Sequence, residues 1–103
     1  MSTKSLLRGL HPMHPGELLR EEILPAVDRP KAEIARLLGV SRQHLYDILD
    51  ERKPVTPAMA VRFGKLFGNG PELWLDLQSA YDLAAVTKKL AAELRKIPTL
   101  TAA

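Results

Sequence analysis

The sequence predicts an all-α fold of five helices, with an extended C-terminal helix. Apolar residues recur at steps of three and four through most of the 103 residues, which is the period of an amphipathic helix. Proline and glycine divide this pattern into segments, at positions where helices usually begin and end. Within the segment 31–50, Gly39 separates two such patterns and can adopt the positive φ that a tight turn between helices requires.

Composition indicates one folded domain with a modest core. A chain of 103 residues, 46% of them apolar, suits a single domain. The net charge of +3 permits a nucleic-acid partner without requiring one, because 12 acidic residues nearly balance 15 basic ones. The sequence has no cysteine, which excludes disulfides and thiolate metal sites and is typical of the reducing cytoplasm. It also has no apolar run of about 18 residues and no signal-peptide core, so neither membrane insertion nor export is expected.

The N-terminal part divides into an arm and a first helix. Residues 1–12 are predicted to form a flexible arm. Pro15 suits the first position of a helix, which we expect over residues 15–24. Pro25 is expected to end this helix, because proline lacks the N–H group that a helix interior needs.

The central segment predicts two short helices joined by a tight turn. Ile34 and Leu38 share one face of the first helix, and Leu45 and Ile48 share one face of the second. Ser41 can cap the second helix by accepting a hydrogen bond from a backbone N–H group in its first turn.

The residue that caps the first of these two helices is left open. Asp28 is the better cap by residue type. Arg29 is the N-cap if Pro30 takes the first helical position, which proline favours.

Two longer helices follow the central segment. Thr56 and Pro57 suit the N-cap and first position of a helix that we expect to end near Phe67. The glycine-rich residues 68–70 end it, and Pro71 begins the fifth helix.

A second apolar stripe continues into the C-terminal helix, which we place at residues 83–103 with a frayed end. Residues 13–82 already have enough apolar faces for a core without it. We therefore predict that the stripe joins two copies of the chain in a homodimer. The alternative, in which the stripe folds back on its own core, stays open. The residues of the predicted interface are Leu83, Val86, Leu90, Leu94 and Ile97.

The second central helix leaves a polar face, so the pair resembles a helix-turn-helix whose second helix enters the DNA major groove. The residues expected to contact base edges are Arg42, Gln43, Tyr46 and Asp47. Arginine donates twice to guanine, glutamine pairs with adenine, and a carboxylate accepts from cytosine N4. Asp47 is expected either to accept in this way or to orient Arg42. Tyr46 is expected to touch a thymine methyl group or to donate to a phosphate.

A second group of residues is expected to contact DNA phosphates, which fix the docking position without specifying sequence. These residues are Lys31, Ser41, His44, Arg52 and Lys53. For His44, a plain surface role is weighed equally with a phosphate contact. The acidic Asp47, Asp50 and Glu51 repel phosphate, so affinity for nonspecific DNA is expected to be low. The alternative for the whole segment is an ordinary helical hairpin with a solvated face.

Two motifs outside the central segment resemble those of HigA-type antitoxins, also called VapI-like, within the repressor-type helix-turn-helix family. They are MHPGELLREE at residues 13–22 and PELWLDLQSAYDL at residues 71–83. This resemblance implies a protein that keeps a HigB-type toxin, a RelE-like mRNA interferase, inactive. It also implies a dimer that binds a palindromic operator and represses its own operon, with residues 13–82 as the DNA-binding domain.

The sequence departs from the pattern of that family at two points. Residues 50–53 are Asp-Glu-Arg-Lys, where the family often has residues like Asn-Gly-Arg-Arg. Without the glycine, either the preceding helix runs longer or Asp50 adopts the left-handed conformation. Pro30 stands where the family tends to have a Ser or Thr cap.

No pattern in the sequence indicates an enzyme, a metal site or a cofactor. The sequence has no glycine-rich phosphate loop, and His11, His14 and His44 do not share metal-ligand spacing with a carboxylate. Two rivals to the antitoxin interpretation remain. One is a stand-alone helix-turn-helix transcriptional regulator without a toxin partner, and the other is a protein-binding module that has lost DNA binding.

Overall fold

The computed structural model describes residues 12–102, and within that range every regular element is a helix. The predicted all-α fold is therefore confirmed. Helix α1 runs without a break through three segments, Pro15–Leu18, a π-helical turn at Leu19–Ile23, and Leu24–Val27. The helices that follow are α2 (Lys31–Leu38), α3 (Arg42–Leu49), α4 (Pro57–Phe67), α5 (Pro71–Lys89) and α6 (Ala91–Leu94). Of the predicted arm, residues 1–12, only Pro12 is among the described residues. His11 lies outside them.

Helix α1 begins as expected, with Pro15 at its first position. His14 is the N-cap, and its Nδ1 accepts a hydrogen bond from the Gly16 N–H at 2.9 Å. The His14 ring is buried, with the Tyr81 ring edge-on at 5.0 Å between centroids. A Cβ on Gly16 would overlap the carbonyl oxygen of Ile48, so the backbones of α1 and α3 approach too closely for any side chain there.

The prediction that Pro25 ends the first helix is wrong, because α1 continues to Val27. In a regular helix the ring of Pro25 would clash with the carbonyl four residues earlier. Here the preceding turn is π-helical, with the Leu24 N–H bonded to the Leu19 carbonyl, and this wider turn accommodates the proline. The helix ends at Asp28, which has a φ of 54° and donates its N–H to the Leu24 carbonyl at 3.1 Å.

Neither residue considered as the cap of the second helix occupies that position. Asp28 closes α1, and Pro30 itself is the N-cap of α2, with a ψ of 142°. Proline has no side-chain acceptor, so its carbonyl alone begins the helix, by accepting from the Ile34 N–H at 3.1 Å. Arg29 instead pairs with Glu33 one turn into α2, at 2.8 Å.

The turn between α2 and α3 has the geometry that the sequence predicts. Gly39 has a φ of 74°, and the Ser41 hydroxyl accepts from the His44 N–H at 3.0 Å. Helix α4 reinforces the turn, because Arg62 donates to the Leu38 carbonyl at 2.6 Å and so satisfies a C-terminal carbonyl of α2.

After α3 the chain leaves the helix by neither of the two routes considered. The helix ends at Leu49, and Asp50 has a φ of −86°. Glu51 takes the left-handed conformation, with a φ of 62°. Residues other than glycine seldom adopt this conformation, since it brings Cβ close to the backbone.

The core lies among α1 to α4 and the first half of α5. Trp74 and Phe63 are fully buried with ring centroids 4.8 Å apart, and the Trp74 Nε1 donates to Asn69 at 3.0 Å. The buried Gln78 accepts from the Val55 N–H at 2.7 Å, which ties α5 to the loop before α4. The predicted inner residues of the central pair, Ile34, Leu38, Leu45 and Ile48, are all in this core.

The C-terminal half of α5 leaves the core. All five residues of the predicted dimer stripe are exposed, from 38% at Leu90 to 67% at Leu83. The C-terminal helix expected over residues 83–103 is not continuous, because α5 ends at Lys89 and Leu90 has a φ of −95° and a ψ of 12°. The short α6 follows and ends at Leu94. In the described structure, therefore, the stripe is not covered by its own core. None of the described helices is both long and apolar enough to cross a membrane.

The stability of this fold is expected to fall when the pH is lowered through the range in which an unfolded histidine titrates, about 6.5. Burial lowers the pKa of His14 and outweighs the opposite effects of the Glu51 and Asp82 carboxylates. Below pH 6.5 the unfolded chain thus binds a proton that the folded chain resists, so this contribution is complete above pH 6.5 and is lost below it.

The measurement is urea denaturation of the wild type and of His14→Asn from pH 8 to pH 5. Asparagine caps helices well and does not titrate. His11 and His44 are present in both proteins, so the difference between the two stability curves reports the titration of His14 alone. Parallel stability curves for the two proteins over this range would contradict the prediction.

Candidate nucleic-acid interface

The polar face of α3 points away from the core, because the apolar residues Leu45, Ile48 and Leu49 are buried on its other side. Arg42 and Gln43 are exposed in its first turn. The Tyr46 ring, 37% exposed, follows one turn later. The face therefore carries a guanidinium, an amide and a phenol over about one and a half turns, with donors suited to base edges in a major groove.

Asp47 differs from the other three residues of this face, because its side chain is only 13% exposed and already has partners. Its carboxylate accepts from the Gln43 amide at 2.8 Å and pairs with Arg52 at 3.2 Å and Lys53 at 3.3 Å. The hydrogen bond from Gln43 is the main cause that lowers the pKa of Asp47, and the two cations add to it. In this structure Asp47 thus orients Gln43, not Arg42, and its contact to cytosine stays a prediction.

The cations expected at phosphates lie beside this face and are held by carboxylates. The Arg52 and Lys53 side chains are 63% and 50% exposed, and Arg52 also pairs with Asp50 at 3.0 Å. Lys31 lies 6.0 Å from the centroid of the Tyr46 ring, at the edge of a cation–π contact. The cation of each pair is at least half exposed, so water screens the attraction and a phosphate can compete with Asp47 and Asp50 for Arg52 and Lys53.

Two other phosphate candidates differ in how accessible their polar atoms are. Ser41 is exposed, and its hydroxyl can still donate to a phosphate while its oxygen caps α3. His44 is half-buried, and its Nε2 is shielded from solvent without a hydrogen-bond partner among the described residues. In this conformation the His44 Nε2 cannot reach DNA, which disfavours the predicted phosphate contact.

Helix α1 contacts residues 49–53, which comprise the last residue of α3 and the four that follow it. We call this segment the exit turn. Arg20 donates from Nη1 to the Leu49 carbonyl at 2.5 Å and reaches the Glu51 carboxylate at 3.3 Å from both terminal nitrogens. The His14 ring hydrogen-bonds to the backbone of Lys53. The sequence analysis missed these roles. The sequence did contain an indication of them. His14 and Arg20 are polar, although the motif at residues 13–22 begins a helix that packs on the core.

The rest of the described chain offers no cluster for metal chemistry. Within residues 12–102 no three His, Asp or Glu side chains come together in a way that could hold a metal ion. An apolar groove of about 540 Å³ lies between α1, α2 and α4, and no residue of α3 lines it. Residues that line it include Ile23, Val27, Leu37, Leu66 and Phe67.

Comparison with known proteins places the chain among helix-turn-helix regulators and antitoxins. No protein-family model matches the sequence. Virulence-associated protein I of Dichelobacter nodosus is 38% identical over 71 residues, which are 69% of this chain and 66% of that protein. The uncharacterized HTH-type transcriptional regulator YbaQ of Escherichia coli K12 is 34% identical over 91 residues, 86% of this chain and 80% of that protein.

Solved structures agree with these relatives. The Pseudomonas aeruginosa antitoxin HigA, solved with the higBA promoter, superposes with a TM-score of 0.83 at 36% identity. The match covers 88% of this chain and 100% of that one. The relatives are antitoxins and regulators, not enzymes, in agreement with the sequence analysis.

Proposed function

Because the chain belongs to the HigA-type antitoxins, the VapI-like branch of the repressor-type helix-turn-helix proteins, we propose that it neutralises a HigB-type toxin and represses its own operon. Residues 13–82 bind the operator, and the exposed apolar stripe from Leu83 to Ile97 joins two copies of the chain. The observation that carries the DNA-binding part is the polar face of α3, exposed on a helix whose other side is fully buried.

In the proposed complex α3 lies in the major groove. Arg42 donates to guanine and Gln43 to adenine, with the Gln43 amide already oriented by Asp47. Arg52 and Lys53 exchange their carboxylate partners for phosphates, joined by Lys31 and Ser41. Because that exchange returns little free energy, affinity for nonspecific DNA is low and the operator is selected mainly through base contacts.

The dimer follows from the exposed stripe on α5 and α6. A surface of five large apolar side chains, each at least 38% exposed, is unusual for a monomer. Two copies paired through it form a two-fold symmetric protein. Such a dimer presents two α3 helices to a palindromic site, whose half-sites lie about 34–36 Å apart for adjacent turns of B-form DNA.

Family membership supports the toxin as partner, and the apolar groove supports it further. The groove lies between α1, α2 and α4, and none of the residues that line it belongs to α3. One molecule can therefore hold toxin and operator DNA at different surfaces.

A stand-alone transcriptional regulator is the second candidate function. It is favoured by the similarity to YbaQ, an uncharacterized HTH-type transcriptional regulator. A reading frame for a small basic protein beside this gene separates the two functions, because only the antitoxin needs it.

Replacing Arg42 by alanine is expected to weaken operator binding by about 1–3 kcal/mol and to relax the base preference at one position. The measurement is a gel shift on promoter DNA and on a panel of single-base variants. Lys65→Ala is the matched control, since it removes an exposed charge on α4, outside the proposed interface. If Arg42→Ala and Lys65→Ala bind alike, Arg42 does not contact a base.

Val86→Asp is expected to convert the dimer into a monomer by placing a charge in an apolar interface. Sedimentation equilibrium measures the mass, and circular dichroism verifies that the helices remain. Ala85→Asp, on the opposite face of the same exposed helix, is expected to stay dimeric. A wild-type protein that sediments as a monomer at micromolar concentration would exclude this dimer.

Co-expression with the product of the neighbouring reading frame tests the toxin. We expect the two proteins to purify as one complex, and growth arrest by the neighbour alone to be relieved by this chain. The stand-alone regulator is indicated if the neighbour is harmless and does not co-purify while the promoter is still bound.

A further inference from the structure

We propose that Arg20 of α1 is a positioning residue that holds the exit turn in the shape that binds DNA, together with Glu51. This inference rests on the proposed function. It assigns to α1 a part in DNA binding, although none of the residues proposed to contact DNA belongs to α1. Three observations carry it: the contacts of α1 to the exit turn, the backbone of Glu51, and the residues that this turn carries.

The contacts of α1 to this region are close and specific. Arg20 donates to the Leu49 carbonyl at 2.5 Å, which would otherwise be one of the unpaired carbonyls at the C-terminus of α3. The same guanidinium reaches Glu51 Oε2 from Nη1 and Nη2, both at 3.3 Å. The Gly16 backbone packs directly on the Ile48 carbonyl, and His14 bonds to the backbone of Lys53. The start of α1 and its N-cap therefore contact four residues of this region, Ile48, Leu49, Glu51 and Lys53.

The backbone of Glu51 shows why a fixed partner is needed. With a φ of 62°, this residue occupies a conformation that glycine adopts freely and glutamate does not. Its side chain, 31% exposed, lies against Arg20, which is 38% exposed, so the pair is partly shielded from solvent. The ion pair thus stabilises a left-handed residue that the local sequence disfavours.

The exit turn also carries the cations proposed to contact phosphates. The Arg52 and Lys53 N–H groups both bond to the Asp47 carbonyl, at 2.8 and 3.2 Å, so the two residues leave the helix at a defined point. If the backbone of the exit turn changes conformation, the Arg52 and Lys53 side chains are displaced relative to Arg42 and Gln43. Arg20 acts on DNA through them, without touching DNA.

The experiment combines Arg20→Met with two other changes. Operator affinity is measured by fluorescence anisotropy over a series of salt concentrations. We expect Arg20→Met to weaken binding about tenfold and to flatten the salt dependence by about 0.9 per lost phosphate contact, for one or two contacts. In an Arg52→Ala, Lys53→Ala background the same change is expected to alter affinity less than twofold. A general loss of stability would add to both backgrounds equally, so equal losses would overturn the proposal.

Glycine at position 51 provides the rescue. Since glycine adopts the left-handed conformation unaided, Glu51→Gly combined with Arg20→Met is expected to bind within about threefold of the wild type. If the double variant is as weak as Arg20→Met alone, the turn is not what Arg20 supports.

Amide hydrogen exchange separates this inference from the proposed function. In the free protein, Arg20→Met is expected to speed exchange at the Arg52 and Lys53 amides at least tenfold, while the amides of α4 stay protected. Unchanged exchange at those two amides would overturn the proposal even if operator binding fell. If Arg20→Met does not fold, Arg20→Lys, which keeps the charge without the planar fork, is measured in the same way with a smaller acceleration expected. A wild type that does not bind promoter DNA contradicts the proposed function, whereas the exchange result still decides the role of Arg20.

Discussion

Burial of one side of α3 is the constraint on which the rest of the structure depends. A helix of eight residues is unstable by itself in water, so tertiary packing must hold it. Leu45 and Ile48 are fully buried and Leu49 nearly so, at about 1.5–3 kcal/mol for each side chain. The Ser41 cap adds about 1 kcal/mol. Rotating α3 to expose these residues would lose more free energy than one bidentate base contact returns, about 1–3 kcal/mol. The core therefore decides which residues face outward.

The charged residues around α3 form ion pairs that hold side chains in place and that can still be replaced by other partners. Asp47 holds Gln43 in place and neutralises Arg52 and Lys53, so the acidic residues that would repel DNA also organise the residues proposed to bind it. Exposed ion pairs of this kind contribute about 0–1 kcal/mol, and a phosphate replaces a carboxylate at little cost. On the proposed function, such an interface gains little from nonspecific DNA and depends on the base edges assigned to Arg42 and Gln43.

Helix α5 connects this domain to a separate surface. Trp74 and Gln78 anchor its first half, one through the aromatic cluster with Phe63 and the other through a buried hydrogen bond to Val55. From Asp82 onward the helix is exposed, and the apolar stripe begins along this part. Both halves belong to one 19-residue helix, so in the proposed dimer a rigid element joins each core to the start of the apolar stripe.

The sequence by itself determined the features that depend on neighbours a few residues away. The helical period, the Ser41 and Thr56 caps and the left-handed Gly39 follow from local hydrogen bonds and sterics, and each is found as predicted. The tertiary structure alone decided the passage of α1 through Pro25, the left-handed Glu51 and the pairing of Arg20 with the exit turn. These depend on packing between segments far apart in the chain; Arg20 and Leu49, for example, are 29 positions apart. Local propensity carries no information about such contacts, because the free energy that makes them favourable appears only when α1 and α3 have packed together.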